Sequence, residues 1–388
     1  MTRSLGFFGA LRCCCACALL AIGAPARAND GESTKSSQQV ARADLPAATR
    51  CLDRLDMKGA RAILERRDAS LSSADRHLVR GRIDLLENRP AAARRELSAA
   101  VRSQPGRASH HYWLGRALLA DNASAMASSA FQKAYALGLG SCDLHRCWAE
   151  ALRASGAALG DLRQLRWRDV LDAEPVVGET TPHGLVVQTV RGRGDVIIVA
   201  PEKSAIFQAQ QALKADPGNA EALLLAGELW AEVDQHRLAV RMFRQAARQL
   251  AGEDPQETRL ARCHEKWAAS SLALGRLDSY LDHTGERARL VGDTEPAAMA
   301  PYYEIAAQEA SSRGQLERQI KYLTRAAECE QTAVRLVNLA DALLVAQRPE
   351  EAQLRLKRAL ALNPPSPERR QIRSRLNRTA FLTDSKAK

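Results

Sequence analysis

Along most of this chain apolar residues recur at every third or fourth position, and the runs are cut by polar, Gly or Pro breaks. From about Asp44 onward that rhythm predicts a succession of short amphipathic helices. One stretch departs from it. GLVVQTVRGRGDVIIVAP, from Gly184 to Pro201, holds seven Val or Ile residues together with Gly192 and Gly194. Such β-branched density argues against helix, and two apolar runs about a Gly-containing turn predict a β-hairpin.

The helical rhythm repeats. Gly81, Ala93, Leu97 and Ala100 return 34 residues later as Gly115, Ala127, Phe131 and Ala134. The pattern comes again as Gly227, Ala239, Phe243 and Ala246, and as Ala340, Ala352, Leu356 and Ala359. Pro105, Pro217 and Pro364 stop the second helix of a copy, because Pro cannot continue a helix. Weaker copies occupy 41–73, 142–175 (with Asp161 at a small-residue position), 254–290 and 298–331. These residues resemble the tetratricopeptide repeat family, in which a small residue of helix A admits a bulky residue of helix B. The resemblance implies an all-α helical-hairpin solenoid whose concave face binds protein or peptide partners. Counting back 34 residues from the helix ending at Pro217 places its helix A near Val186. The expectation is therefore that the β-hairpin around 184–201 replaces a helix A and seals an orphan helix B.

The segmentation read from the sequence is a signal peptide over 1–28 and a polar lead-in over 29–43. Repeats over 44–175, a loop and hairpin insertion over 176–202, and repeats over 203–365 follow. A basic capping helix and tail fills 366–388. Arg3 and Arg12 precede the apolar run Cys13 to Ile22, and Ala26-Arg27-Ala28 offers a small-x-small cleavage signal. Periplasmic or cell-envelope localisation is expected. Loss of Arg3, Arg12 and Arg27 would lower the charge from +11 to +8. Only Cys51, Cys142, Cys147, Cys263 and Cys329 would remain of nine cysteines, too scattered a set for a disulfide-built scaffold.

Composition narrows the chemistry. The chain is 26% charged and 4% aromatic, with a pI near 9.4. Most basic residues alternate with Glu and Asp, so nucleic acid is not the expected partner. The exception is the tail, with Arg369, Arg370, Arg373, Arg375 and Arg378, which could touch anionic membrane or polymer. No GxSxG, HExxH, P-loop or dinucleotide fingerprint occurs, and neither an enzymatic activity nor a cofactor is expected. Cys142, His145 and Cys147 (CDLHRC) lack a second ligand pair at zinc spacing, so they are read as packed residues and no metal is assigned. Arg193-Gly194-Asp195 falls in the expected turn, where Gly and Asp are ordinary turn residues.

The resemblance places Leu78, Arg82, Tyr112 and Arg116 on the concave face of the early repeats. It places Leu224, Glu228, Glu232 and Asp341 on that face later. The groove is expected to run from basic to acidic and to orient an extended partner by charge. Arg191 and Arg193 at the insertion tip are a second candidate contact. The function expected is an interaction scaffold of the bacterial cell envelope, with an envelope-assembly factor that also contacts anionic polymer or membrane through its basic C-terminal helix as the alternative, and an enzyme with an unrecognised site beside the hairpin as the reading least favoured.

Overall fold

A computed structural model of the 388-residue chain describes residues 45–66, 71–156, 186–189, 196–199, 204–251 and 257–386. Two compact units divide it, one ending at Leu71 and one beginning at Ser72. In the first, helix α1 (45–53) and helix α2 (Met57–Glu65) bury Ala48, Leu52, Ala60 and Ile63. Asp56 starts α2 by accepting the backbone N–H of Gly59 at 2.8 Å.

In the second unit, helical pairs follow one after another. They are α3 (Ser73–Leu86) with α4 (Pro90–Ser103) and α5 (Ala108–Ala120) with α6 (Ser124–Ala136). After α7 (Cys142–Ser155) come α8 (Ala205–Ala215), then α9 (Ala220–Glu232) with α10 (His236–Leu250). The remaining pairs are α11 (Glu257–Ala273) with α12 (Leu277–Leu290), α13 (Pro296–Ser312) with α14 (Leu316–Cys329), and α15 (Ala333–Val345) with α16 (Pro349–Ala361). Helix α17 (Ser366–Lys386) packs on α16. No described helix is long and apolar enough to cross a membrane.

The turns explain the regularity. Two residues before helix B, Asn88, Asn122, Asp234 and Gln347 adopt left-handed backbone at φ 55°, 59°, 61° and 59°. Gly275 and Gly314 do the same in the next two pairs. The following residue donates its N–H back to the end of helix A, as Arg89 does to Asp84 (2.8 Å) and Arg348 to Leu343 (2.9 Å). That bond satisfies a carbonyl the helix leaves open and reverses the chain in the same way each time.

Inside each pair the small residue permits close approach. A Cβ added at Gly81 would lie 2.5 Å from Leu97, one at Gly115 2.6 Å from Phe131, and one at Gly227 2.5 Å from Phe243. Leu97, Phe131 and Phe243 are fully buried in consequence.

The β-rich stretch takes a different place from the one expected. Helix α8 packs along α7, and its Ala205, Ile206 and Ala209 share one core with Leu144, Cys147, Trp148 and Ala151. His145 and Gln208 join the two helices through a buried bond of 2.8 Å. So α7 is the helix A of α8, and α8 is not an orphan. The 34-residue count fails here because 157–203 falls inside one pair and lengthens it. The hairpin insertion expected around 184–201 is thus corrected: it replaces no helix A, and the described repeat units are built from helices alone. Val186–Thr189 pairs antiparallel with Val196–Val199, in the register Val186 with Val199 and Thr189 with Val196. Asp161, Arg191, Arg193 and the Arg-Gly-Asp tripeptide lie outside the described residues.

Candidate protein-interaction face

Successive A helices are neighbours, and a ladder of ion pairs with nearly the repeat period ties them together. Asp75 meets Arg107 at 3.2 Å, Glu228 meets Arg262 at 2.6 Å, Glu304 meets Arg335 at 3.0 Å, and Asp341 meets Arg375 at 3.1 Å. Glu228 also accepts from Arg153 at 2.6 Å, so it bridges α7, α9 and α11. Arg153 reaches Glu232 as well. Each acid on this face is therefore answered within the protein, which lowers its charge towards a partner.

This changes where the eight expected groove residues stand. Leu78, Arg82, Leu224 and Glu228 are 5%, 5%, 2% and 4% exposed and sit within the packing of neighbouring helices. A helix A residue aimed at the concave side also meets the next helix A, so long side chains there become buried. Tyr112 is half-buried against Trp113 and Phe131, and burial pushes its hydroxyl up to about 12. Arg116 is exposed, with its guanidinium 4.7 Å from the Trp113 ring centre, and the Arg82 guanidinium lies 4.1 Å from the same ring. Glu232 and Asp341 keep partial exposure but are paired as above. The structure brings Arg82 and Arg116 together around Trp113, and Glu228 with Glu232 around Arg153. It leaves Asp341 in a separate place.

That place is a cleft of about 710 Å³ between α13 and α15, floored by α14. Ala307, Leu323 and Ala342 give it an apolar floor, and Val334 and Val345, 55% and 70% exposed, form apolar rims. Gln308 and Asn338 face it with uncharged amides, and Glu304 and Asp341 stand at its sides. An amide can both donate to a peptide carbonyl and accept from a peptide N–H. Apart from Asp341, these residues were not singled out from the sequence. Carrying the helix A register into the weak copy over 298–331 marks Glu304, Gln308 and Ser311, which is the signal that was available.

The CDLHRC residues are structural. Cys147 and His145 are buried, and the His145 ring packs in a mutual cluster with Tyr135 and Trp148 while its Nδ1 is bonded to Gln208. Burial pushes the Cys147 thiol up and the Cys142 thiol up to about 11, which keeps both protonated. A second polar cluster was not read from sequence: His264 Nδ1 meets His283 Nδ1 at 3.1 Å, and Trp267 stacks on His283 at 3.7 Å.

Neither a protein-family model nor a curated relative matches the sequence. Among solved structures, the chain is similar to a tetratricopeptide repeat protein of Parabacteroides merdae at 15% identity, over 79% of this chain and 99% of that one, with a TM-score of 0.41. It is similar to YrrB, described as a TPR protein with an unusual peptide-binding site, at 12% identity over 60% and 92%, with a TM-score of 0.39. It is also similar to PilW, described as a type IV pilus biogenesis factor, at 13% identity over 66% and 92%, with a TM-score of 0.39. By its own turns, its Gly-on-Phe contacts and its paired helices, the unit from Ser72 is an array of helical hairpins, the architecture that the resemblance to tetratricopeptide repeats implied.

Proposed function

We propose that this protein is an interaction scaffold that seats an extended segment of a partner protein against its A helices. The strongest seat is the cleft between α13 and α15. The observation that carries the reading is the cleft's composition: two exposed valines over an apolar floor, beside the amides of Gln308 and Asn338. Exposed valines of this kind gain from burial under a partner's aliphatic side chain. The paired acids at its sides discourage a strongly charged occupant in either sense.

Selection of displayed random peptides against the full chain tests this, with an N338A/V345D variant as counter-screen. Enriched peptides are expected to be poor in charge, to carry an aliphatic residue, and to lose at least tenfold in affinity on the variant. Enrichment of peptides that bind both proteins equally, or of none, would sink the reading. We further propose that the scaffold works in the periplasm or at the cell envelope after cleavage behind Ala28. Mass spectrometry of the protein from its host should then find Asn29 at the N-terminus; an intact Met1 would contradict this.

A further inference from the structure

The last two helices are rich in exposed cations. From Pro349 to Lys386 the sequence has nine basic residues against four acidic ones, Glu350, Glu351, Glu368 and Asp384. The whole 388-residue chain has a net charge of only +11. Elsewhere the A helices neutralise one another through the ion-pair ladder. Here Lys357, Arg358, Arg370, Arg373 and Arg378 are exposed and make no ion pair among the described residues, and Arg358 leans only on the Gln331 amide at 3.4 Å. Arg375 is drawn inward to Asp341, and Arg369 to the Pro364 carbonyl.

Two exposed leucines accompany these cations. Leu354, 63% exposed, shares a face of α16 with Lys357 and Arg358 by its three- and four-residue spacing, and Leu362, 39% exposed, is the capping residue just past the helix, four residues after Arg358. Helix α17 packs beside them, held by its buried Ile372. A solvated, purely ionic face has no use for large apolar side chains, and a core face has no use for unpaired cations. Cations flanking exposed apolar residues are what an anionic lipid interface accepts, with the charges at the headgroups and the leucines at the acyl boundary. We propose that the outer face of α16 and α17 is a peripheral docking surface for an anionic bilayer, separate from the cleft between α13 and α15.

Co-sedimentation of the full chain with phosphatidylcholine vesicles, with and without phosphatidylglycerol, tests this. Binding is expected only to the anionic vesicles and should weaken as salt rises. Each exposed cation near the surface is worth about fivefold in affinity, so K357Q/R358Q/R370Q/R373Q should lose several hundredfold. The control R80Q/R102Q/K133Q/R237Q removes as many exposed cations from other helices and should bind almost as the parent does. L354S/L362S should weaken vesicle binding several-fold, with circular dichroism confirming that every variant is folded. Equal losses in the two glutamine variants, or binding to phosphatidylcholine alone, would overturn the proposal. So would vesicle binding untouched by L354S/L362S and abolished by competing duplex RNA, which would mark a surface for soluble polyanions instead.

Discussion

At Gly227 the space for a side chain is already taken, since a Cβ there would lie 2.5 to 2.9 Å from three atoms of the Phe243 ring. Gly227→Ala gains about 1 kcal/mol of helix propensity but overpacks a filled core, so a net loss of about 1–2 kcal/mol in urea unfolding is expected. Gly227→Ala with Phe243→Leu should recover part of it, because the last pair already combines Ala340 and Leu356 in one buried core. Gly106→Ala, with open space around it, should change little. His283 makes a different residue-scale prediction. Burial lowers its pKa to about 4, helped by His264 and Arg244 and opposed by Glu286. The unfolded imidazole, with an ordinary value of 6.5, takes up a proton first. Its contribution to stability is thus complete above pH 6.5 and is lost as pH falls towards 4. His283→Phe should flatten the fall of the urea midpoint between those limits; an unchanged slope would show that the pair does not titrate as its packing implies. The buried His110 is lowered by burial too and acts with the same sign.

Between elements, the outcome turns on how α7 and α8 hold together across 157–203. Because they form one helical pair, a Gly/Ser linker of roughly six residues in place of 157–203 should leave thermal stability close to the parent value. A large drop would restore a sealing role to the β-rich stretch. Glu228 is the complementary case. Its carboxylate is buried and shared by Arg153 of α7 and Arg262 of α11, so Glu228→Ala leaves two guanidinium groups without their shared partner. The expected loss is about 3 kcal/mol, read as a lowered Tm. The helices themselves were legible in advance, since Gly81, Phe131 and Pro217 mark them through local sterics. The pairing of α7 with α8 was not, because a periodic count carries no information about which helix a lengthened connection returns to.

On the scale of the molecule, an array of repeats needs a soluble end, and α17 supplies it. It stands against α16, buries Ile372 and ties Arg375 to Asp341. Truncation after Asn363 should uncover apolar surface on the last pair, lower the Tm, and produce concentration-dependent self-association in size-exclusion chromatography with light scattering. A monodisperse truncated chain of unchanged Tm would show that the last pair caps itself.

The helical rhythm, the Gly-on-Phe contacts and the terminating prolines are written in the chain, because these depend on residues near in the chain or one repeat away. The sequence also marked the basic surplus of the final helix, since charge is written residue by residue. Only the tertiary structure decided that Leu78, Arg82, Leu224 and Glu228 are consumed by packing while Gln308, Asn338, Val334 and Val345 open onto a cleft. Exposure on a concave face depends on how closely the next helix approaches, and that distance is set by neighbours the local pattern does not contain.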